Sequence, residues 1–253
     1  MRYVGGKSKI ARKISAVMLE KSKGRDLYIE PFVGGGSVAN CMGNHFRLVR
    51  YSDAHKSLIM MWNKCLEALV DGKEPTSYLP DDATEDDYHL YRVSEDSAER
   101  GAVGFLASFG ASWFGGFARG KKPDGTPRNY YLEGMRNINS NFEKMMGKRS
   151  TYFVVGGYKE LWPELPTGSV VYCDPPYAGK KKYKTEEFDH QEFWQWVREN
   201  SARGVDIYVS EYTAPDDFVV IWEQEVHISV SVNNNKPKAT ERLYVHRSFY
   251  ERM

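Results

Sequence analysis

The chain is poor in cysteine and has no long apolar run. Its three cysteines, Cys41, Cys65 and Cys173, lack metal-type spacing and cannot all pair with one another, so we expect buried free thiols and no metal. No stretch approaches the roughly 18 apolar residues of a membrane span, and the first residues contain no apolar signal core. These absences predict a cytoplasmic protein with no membrane partner.

Net charge is also nearly absent, at +1 over 253 residues. The basic residues are nevertheless clustered, with eight Lys or Arg in residues 1–25 and four lysines in residues 180–184. Such clusters are commonly solvated faces, but several on one side of a fold would bind a polyanion. The 41% hydrophobic content predicts a folded globule rather than a disordered chain.

Strand-like apolar runs alternate with helical patterns along most of the chain. The runs lie at residues 27–29, 48–51, 152–155, 170–173, 205–209, 226–232 and 243–245. This alternation predicts an α/β fold with a mainly parallel sheet covered on both faces, and the last two runs allow an antiparallel pair at one edge. The alternation lapses at residues 71–149. We therefore expect one domain built from residues 1–70 and 150–253, and an inserted, largely helical subdomain at 71–149.

Three glycines follow the first predicted strand in LYIEPFVGGGSVAN. Ligands of open α/β sheets bind at the carboxyl ends of the strands, where glycine lets them approach the backbone. The spacing from Gly34 also satisfies the dinucleotide pattern G-x-G-x-x-A, so a nicotinamide cofactor remains an alternative. Asp53, after the next strand, can bind ribose hydroxyls or accept backbone N–H bonds at a helix start. Glu30 would repel a pyrophosphate and attract a cation, which favours S-adenosylmethionine.

The first residues contain Gly5-Gly6-Lys7-Ser8, which is similar to the end of a phosphate-binding P-loop. The first glycine of that motif and the strand before it are missing, and its mechanism needs both. The alternative is a glycine turn before an amphipathic helix, supported by apolar residues on one helical face.

A tetrapeptide of distinctive chemistry, Asp174-Pro175-Pro176-Tyr177, follows the apolar run VVYC. The two prolines make a stiff corner whose carbonyls point to fixed places. The carboxylate and a proline carbonyl can accept both N–H bonds of an exocyclic base amine and offset the charge that builds as it attacks a methyl group. A duplex base must be flipped to reach such a site, and Tyr177 offers a face for stacking.

In order, RYVGGKSK, EPFVGGGSV, YSDAHKSL, an insertion and DPPY resemble the Dam-type, alpha-class DNA adenine-N6 methyltransferases over nearly the whole chain. The resemblance implies a Rossmann-like methyltransferase fold, S-adenosyl-L-methionine as cofactor, double-stranded DNA as partner, and catalysis by Asp174, Pro175, Pro176 and Tyr177. The cofactor-binding residues that it implies are Tyr3, Lys7, Glu30, Phe32, Gly34, Asp53, Asp174 and, as a weaker match, Tyr158. It also places Ser210-Glu211-Tyr212 near the target pocket.

The insertion corresponds to the family's target-recognition region. Its candidate DNA-binding residues are Arg119, Lys121, Lys122, Arg128 and Asn129, because Arg pairs well with guanine and Asn with adenine. Lys181, Lys182 and Tyr183 match the loop that borders the target base. Family members that read GATC carry a stretch resembling FNVPFG where this chain has PRNYYLEG, so the resemblance does not imply GATC.

Three alternatives remain from the sequence. Cytosine-N4 methylation uses the same amine chemistry, although Asp at position 174 is more typical of adenine enzymes. A nicotinamide-dependent oxidoreductase would have no use for the tetrapeptide. A catalytically silent DNA-binding protein is disfavoured because the tetrapeptide is intact.

Overall fold

The computed structural model describes residues 1, 3, 6–177, 188–227 and 238–253. The α-helices in these ranges are α1 (Ala11–Lys21), α2 (Ala39–Met42), α3 (Lys56–Val70), α4 (Glu85–Val93), α5 (Ala98–Leu106), α6 (Tyr130–Asn141), α7 (Tyr158–Leu161), α8 (His190–Ala202) and α9 (Arg247–Tyr250). The strands are β1 (Leu27–Glu30), β2 (Leu48–Asp53), β3 (Ser150–Val155), β4 (Val170–Cys173), β5 (Asp206–Glu211), β6 (Phe218–His227) and β7 (Lys238–His246).

All seven strands belong to one sheet, in the order β3-β2-β1-β4-β5-β7-β6. Strand β7 is antiparallel to both of its neighbours, and the strands from β3 to β5 pair in parallel. The predicted mainly parallel sheet with an antiparallel edge is confirmed. The chain builds outward from β1 to β3 and then returns to start β4 beside β1, which leaves a crevice at the carboxyl ends of β1 and β4, where ligands of such sheets bind.

The predicted first residue of the sixth strand is wrong. Strand β6 begins at Phe218, eight residues before the predicted run at 226–232, and residues 228–232 lie outside the described ranges. Its first half is the apolar stretch FVVIW, whereas exposed Glu223 and Glu225 alternate with less exposed residues in its second half. This is the pattern of an edge strand with one solvated face.

Both faces of the sheet are covered. Successive strand residues point to opposite sides, so neighbouring residues of one strand belong to different cores. On one face, Tyr28 of β1 belongs to a core formed with α1 and α3. On the other face, the adjacent Ile29 belongs to a second core with Val171 and the α8 residues Phe193 and Trp196. Burial of these side chains holds the strand ends, and therefore the site, in a fixed position.

The insertion is helical, with α4, α5 and α6 between α3 and β3. Thr84 caps α4 in a capping box with Asp87, which explains the acidic start of this helix. A Cβ on Gly101 of α5 would lie 2.1 Å from the Ser57 carbonyl oxygen of α3, so glycine permits close helix contact here. Side chains of the insertion share the first core with the sheet. A separate recognition role for residues 71–149 stays a prediction.

A short hairpin at residues 120–128 projects from the insertion. Lys121 pairs with Pro127, and the Lys122 N–H donates to the Thr126 carbonyl over 2.8 Å. Gly125 adopts a φ of +83° in the turn, a conformation that favours glycine. Residues 121–127 are all exposed. The described ranges contain no helix long and apolar enough to cross a membrane.

Candidate active site

The catalytic tetrapeptide and the N-terminal motif meet at the end of β4. The Lys7 ammonium donates to both oxygens of Asp174, at 2.7 and 2.9 Å, and also lies 4.5 Å from the centre of the Tyr177 ring. The Lys7 side chain is 5% exposed and that of Asp174 is 21% exposed. Lys7 therefore holds the carboxylate and the aromatic ring in one cluster. This geometry gives no support to the P-loop alternative, in which the lysine would contact phosphate.

Tyr177 is fixed at its hydroxyl end. Its O–H donates to Glu241 Oε2 over 2.7 Å, and its ring meets the edge of the Tyr212 ring with centres 4.6 Å apart. Burial, together with the nearby Asp174 and Glu241 carboxylates, raises the pKa of Tyr177 well above its usual value. The hydroxyl thus stays protonated and remains a donor at neutral pH. Tyr212, placed near the pocket by the family resemblance, contacts the catalytic tyrosine directly.

The glycine loop after β1 contacts the N-terminal motif. Gly34 has a φ of +45°, and a Cβ there would lie 2.9 Å from the Tyr3 ring. Its N–H donates to Asp53 Oδ2 over 3.0 Å, and its carbonyl accepts from Trp62 Nε1 over 3.1 Å. The loop backbone is therefore held on three sides, and glycine at position 34 leaves room for Tyr3.

Asp53 accepts two backbone N–H bonds, from Gly34 and, over 2.9 Å, from His55. The cap of α3 is His55 itself, whose Nδ1 accepts from the Leu58 N–H over 3.3 Å. Burial raises the pKa of Asp53, while these two hydrogen bonds oppose the shift. Each carboxylate oxygen keeps a second lone pair. Asp53 can therefore hold the glycine loop and still accept hydrogen bonds from ribose hydroxyls.

Glu30 is a buried carboxyl at the end of β1, with 2% of the residue exposed. It accepts a hydrogen bond of 2.8 Å from the Tyr28 hydroxyl. Burial raises its pKa well above the usual value, and the negative charges of Asp174 and Asp53 raise it further. A cationic group placed among these three carboxyls would favour ionisation of Glu30 and then be attracted by its charge. This part of the site fits a positively charged ligand.

Phe32 and Tyr158 lie together in an aromatic cluster. Their ring centres are 5.6 Å apart, and both contact Phe188 and Phe193. Burial raises the pKa of Tyr158 to about 12. The structure thus brings Tyr158 to Phe32 beside the end of β1, and the Tyr158 ring also packs against α8 at Phe193 and Trp196.

The candidate DNA-binding residues differ in how they are engaged. Arg119 forms an ion pair with Glu85, and Arg128 donates to both Glu133 oxygens. Asn129 is the N-cap of α6 and also donates to Asp82 over 2.8 Å. Lys121 and Lys122 are exposed on the hairpin, whereas Lys181, Lys182 and Tyr183 lie outside the described residues. Among the described candidates, Arg119 and the two lysines are exposed and can contact a polyanion.

Two site residues were missed by sequence reasoning. Glu241, on β7, is 8% exposed, yet it stands between polar Thr240 and Arg242 and carries no sequence signal of burial. Trp62 has the apolar spacing of an ordinary core residue of α3, which indicates packing and no contact with the glycine loop. Its second function, donation to Gly34, depends on tertiary contact alone. No cluster of three metal-ligating side chains occurs in the described part of the chain.

The strand order, the glycine loop after β1 and the tetrapeptide after β4 define the class as an α/β methyltransferase. Residues 3–212 match the sequence model of the D12 class N6 adenine-specific DNA methyltransferases, and the chain belongs to this family. It is therefore an adenine-specific DNA methyltransferase that uses a methyl donor of the S-adenosylmethionine type. The predicted family and activity are confirmed, and the cytosine-N4 and nicotinamide alternatives are set aside.

Relatives span almost the same length. The chain is 23% identical over 261 residues to a DNA adenine methylase of Haemophilus influenzae, covering 96% of this chain and 82% of that protein. A DNA adenine methylase of Vibrio cholerae is 27% identical over 263 residues, with coverages of 96% and 83%. Among solved structures, the rRNA methyltransferase aviRa of Streptomyces viridochromogenes aligns with a TM-score of 0.42 at 11% identity, over 96% of this chain and 86% of that one.

Proposed function

We propose that the protein binds double-stranded DNA, turns a target adenine out of the duplex, and methylates its N6 at the Asp174 to Tyr177 corner. The observation that carries this proposal is the cluster of Lys7, Asp174 and Tyr177 at the end of β4. A base that leaves the stack exchanges its stacking partners for an aromatic face, and its amine exchanges a base-pair acceptor for a carboxylate. Tyr177 and Asp174 supply these two replacements.

The cofactor in this proposal is S-adenosyl-L-methionine, which supplies a methyl group on a positively charged sulfur. Glu30 would ionise beside its positive charges and attract them, and Asp53 would accept hydrogen bonds from its ribose hydroxyls. Tyr3 and the backbone at Gly34 would form one wall of the pocket, and Phe32 with Tyr158 would form an aromatic wall. The proposed cofactor fits this site because buried carboxyls lie at the ends of β1 and β2, and a cation between them would offset the cost of burying their charge.

Asp174 orients the target amine in this mechanism. In the structure Lys7 donates to both carboxylate oxygens, but each oxygen can accept a second hydrogen bond. Asp174 and the Pro175 carbonyl would accept the two N–H bonds of the amine and leave its nitrogen lone pair directed at the methyl donor. Positioning and electrostatic stabilisation suffice for the attack, because no proton has to be removed before it. The carbon–sulfur bond of the donor would break as the nitrogen–carbon bond forms, and the methylated amine would then lose one N–H proton to solvent, directly or through Asp174. Pro175 and Pro176 keep the carbonyl in place.

The pH dependence of stability tests the buried state of Glu30. Its raised pKa means that the folded protein holds a proton that the unfolded chain releases above about pH 4.5, the ordinary value. This contribution to the free energy of unfolding is complete below pH 4.5 and is lost as pH rises through the folded pKa. We expect Glu30→Gln, which cannot titrate, to gain stability relative to the parent as pH rises.

Urea unfolding at a series of pH values, without added cofactor, measures this difference. Saturating S-adenosylmethionine is expected to shrink it, because a bound cation favours the ionised carboxylate. A difference that stays constant from pH 4.5 upward would mean that Glu30 ionises normally in the folded protein.

The exposed hairpin lysines are expected to contact DNA phosphates. We expect Lys121→Ala and Lys122→Ala each to weaken DNA binding on all sequences and to lower the slope of log K against log salt by about 1. Fluorescence anisotropy with a labelled duplex at four salt concentrations measures both quantities. Lys148→Ala is the matched control. This exposed lysine precedes β3, at the end of the sheet opposite the catalytic tetrapeptide. Equal slopes for parent, hairpin and control variants would remove the hairpin from the interface.

The activity itself is tested by product identification. The protein is incubated with unmethylated duplex DNA and methyl-labelled S-adenosylmethionine, the DNA is digested, and nucleosides are separated by mass spectrometry. Label is expected in N6-methyladenine. No incorporation on any DNA would overturn the proposal.

A further inference from the structure

Side chains of strand β7 hydrogen-bond to both tyrosines of the site, Tyr177 and Tyr212. Glu241 accepts the hydrogen bond of the Tyr177 hydroxyl. The next residue in the strand, Arg242, donates to the backbone carbonyl of Tyr212 over 2.6 Å, and the Tyr244 hydroxyl donates to the same carbonyl over 3.1 Å. Three side chains of one strand therefore hold the hydroxyl of Tyr177 and the backbone of Tyr212, and the rings of these two tyrosines contact each other.

The hydrogen bond between Tyr177 and Glu241 joins parts of the chain that are 64 residues apart. At its backbone end Tyr177 is held by the two preceding prolines, which restrict the chain direction. The prolines leave rotation about the Cα–Cβ bond open, so a second fixed point is needed to set the direction in which the ring extends. The largely buried Glu241 carboxylate supplies that point.

The strength of the contact follows from its chemistry. Glu241 is 8% exposed. Its carboxylate is the acceptor of the hydrogen bond, and the phenol of Tyr177 is the donor. The separation of 2.7 Å is the usual length of an O–H···O hydrogen bond, and a carboxylate acceptor makes such a bond stronger than a neutral acceptor does. The Lys7 ammonium, 4.5 Å from the centre of the same ring, constrains Tyr177 from another direction. Tyr177 is thus held at its hydroxyl, its ring and its backbone.

We propose that Glu241 is a positioning residue for the target base: it holds the Tyr177 ring in the position at which a flipped adenine stacks. This inference rests on the proposed function, in which Tyr177 receives the base. Glu241 itself touches neither base nor methyl donor in the proposal. Its loss should therefore impair methylation and base stacking without changing affinity for the cofactor.

The test uses Glu241→Leu, Glu241→Gln, Tyr177→Phe and the double variant Tyr177→Phe with Glu241→Leu. Single-turnover methylation of a saturating duplex reports the reaction. Fluorescence of 2-aminopurine at the target position reports base extrusion and stacking, and calorimetry gives the Kd of S-adenosylmethionine. Glu164→Gln is the control, because the Glu164 side chain is 73% exposed and pairs with Arg203 on the surface.

Glu241→Leu is expected to lower the single-turnover rate about tenfold and to change the 2-aminopurine signal, with the cofactor Kd unchanged, since it removes a hydrogen bond to a charged group. Glu241→Gln keeps an acceptor oxygen and should retain most of the rate. The double variant should be no slower than Tyr177→Phe. A merely structural glutamate would lower thermal stability without this pattern.

Three results would overturn the inference: a parental rate for Glu241→Leu, losses that multiply in the double variant, or a cofactor Kd that accounts for the whole effect. Should Glu241→Leu fail to fold, Tyr177→Phe removes the same hydrogen bond from the other side, and its parental rate would equally overturn the inference. A parent enzyme that methylates no adenine contradicts the proposed function instead, so the two failures are distinguishable.

Discussion

Asp174→Asn is expected to lower the single-turnover rate of adenine methylation by at least about 100-fold, the loss typical when a charge-stabilising group is removed from a reacting centre. The amide keeps one acceptor oxygen but loses the negative charge that offsets the charge developing on the amine. A tritium-transfer assay with saturating DNA and cofactor measures the rate. We expect the Kd of DNA to change far less, because phosphate contacts dominate that affinity.

The control must separate chemistry from folding, because Asp174 also pairs with Lys7. Removing one partner of a buried ion pair costs roughly 3–5 kcal/mol when the other charge remains buried. The Lys7 side chain is 5% exposed, so Asp174→Ala would lower stability as well as activity. The double variant Lys7→Met with Asp174→Asn removes the leftover charge. It should recover thermal stability and remain inactive, whereas activity within a few-fold of the parent would exclude Asp174 from the reaction.

The catalytic corner could be predicted because its residues are adjacent in sequence. Asp174 to Tyr177 are contiguous, follow a strand and include two prolines, so local chemistry determines where the carboxylate and ring are placed. The glycine loop was predictable for the same reason: Gly34 lies four residues after the last residue of β1. The mainly parallel sheet followed from the alternation of apolar runs with helical patterns.

Contacts between distant segments could not be predicted in this way. The sequence reasoning placed Lys7 in the methyl-donor pocket, and nothing local indicates that its ammonium reaches Asp174, 167 residues away. Glu241 is still harder to find, since a glutamate between polar neighbours on a strand normally faces water. The start of β6 carries an apolar signal, FVVIW, and the sequence reasoning passed it over in favour of the run at 226–232.

The site is held together by residues that serve both structure and chemistry. Asp53 supports the glycine loop through Gly34, and Lys7 joins the N-terminal motif to the catalytic carboxylate. Glu241 connects the last strand to the tetrapeptide. Pieces from both ends of the chain must therefore pack correctly before the pocket is complete. Motif order along the sequence identifies the family, while the pocket itself is a product of tertiary packing.

Gly34→Ala is expected to weaken binding of S-adenosylmethionine by about tenfold or more, which corresponds to about 1.4 kcal/mol. A non-glycine residue at positive φ costs on the order of 1–3 kcal/mol, and Gly34 has a φ of +45°. The added Cβ would also lie 2.9 Å from the Tyr3 ring. Relief of this clash has to move either Tyr3 or a backbone that is held by Asp53 and Trp62. Isothermal titration calorimetry measures the Kd, and thermal melting measures the accompanying loss of stability.

Gly24→Ala separates the backbone strain from the clash. Gly24 has a φ of +80°, and nothing lies within 4 Å of a Cβ built on it. It is in the turn before β1, at the end of that strand opposite the glycine loop. Alanine there should lower stability through backbone strain alone and leave the cofactor Kd unchanged. If Gly34→Ala and Gly24→Ala lose equal stability and both bind the cofactor as the parent does, the loop at Gly34 has no part in cofactor binding. A tenfold loss confined to Gly34→Ala would instead locate the cofactor against the loop and Tyr3, because only there does the added methyl group alter the proposed pocket.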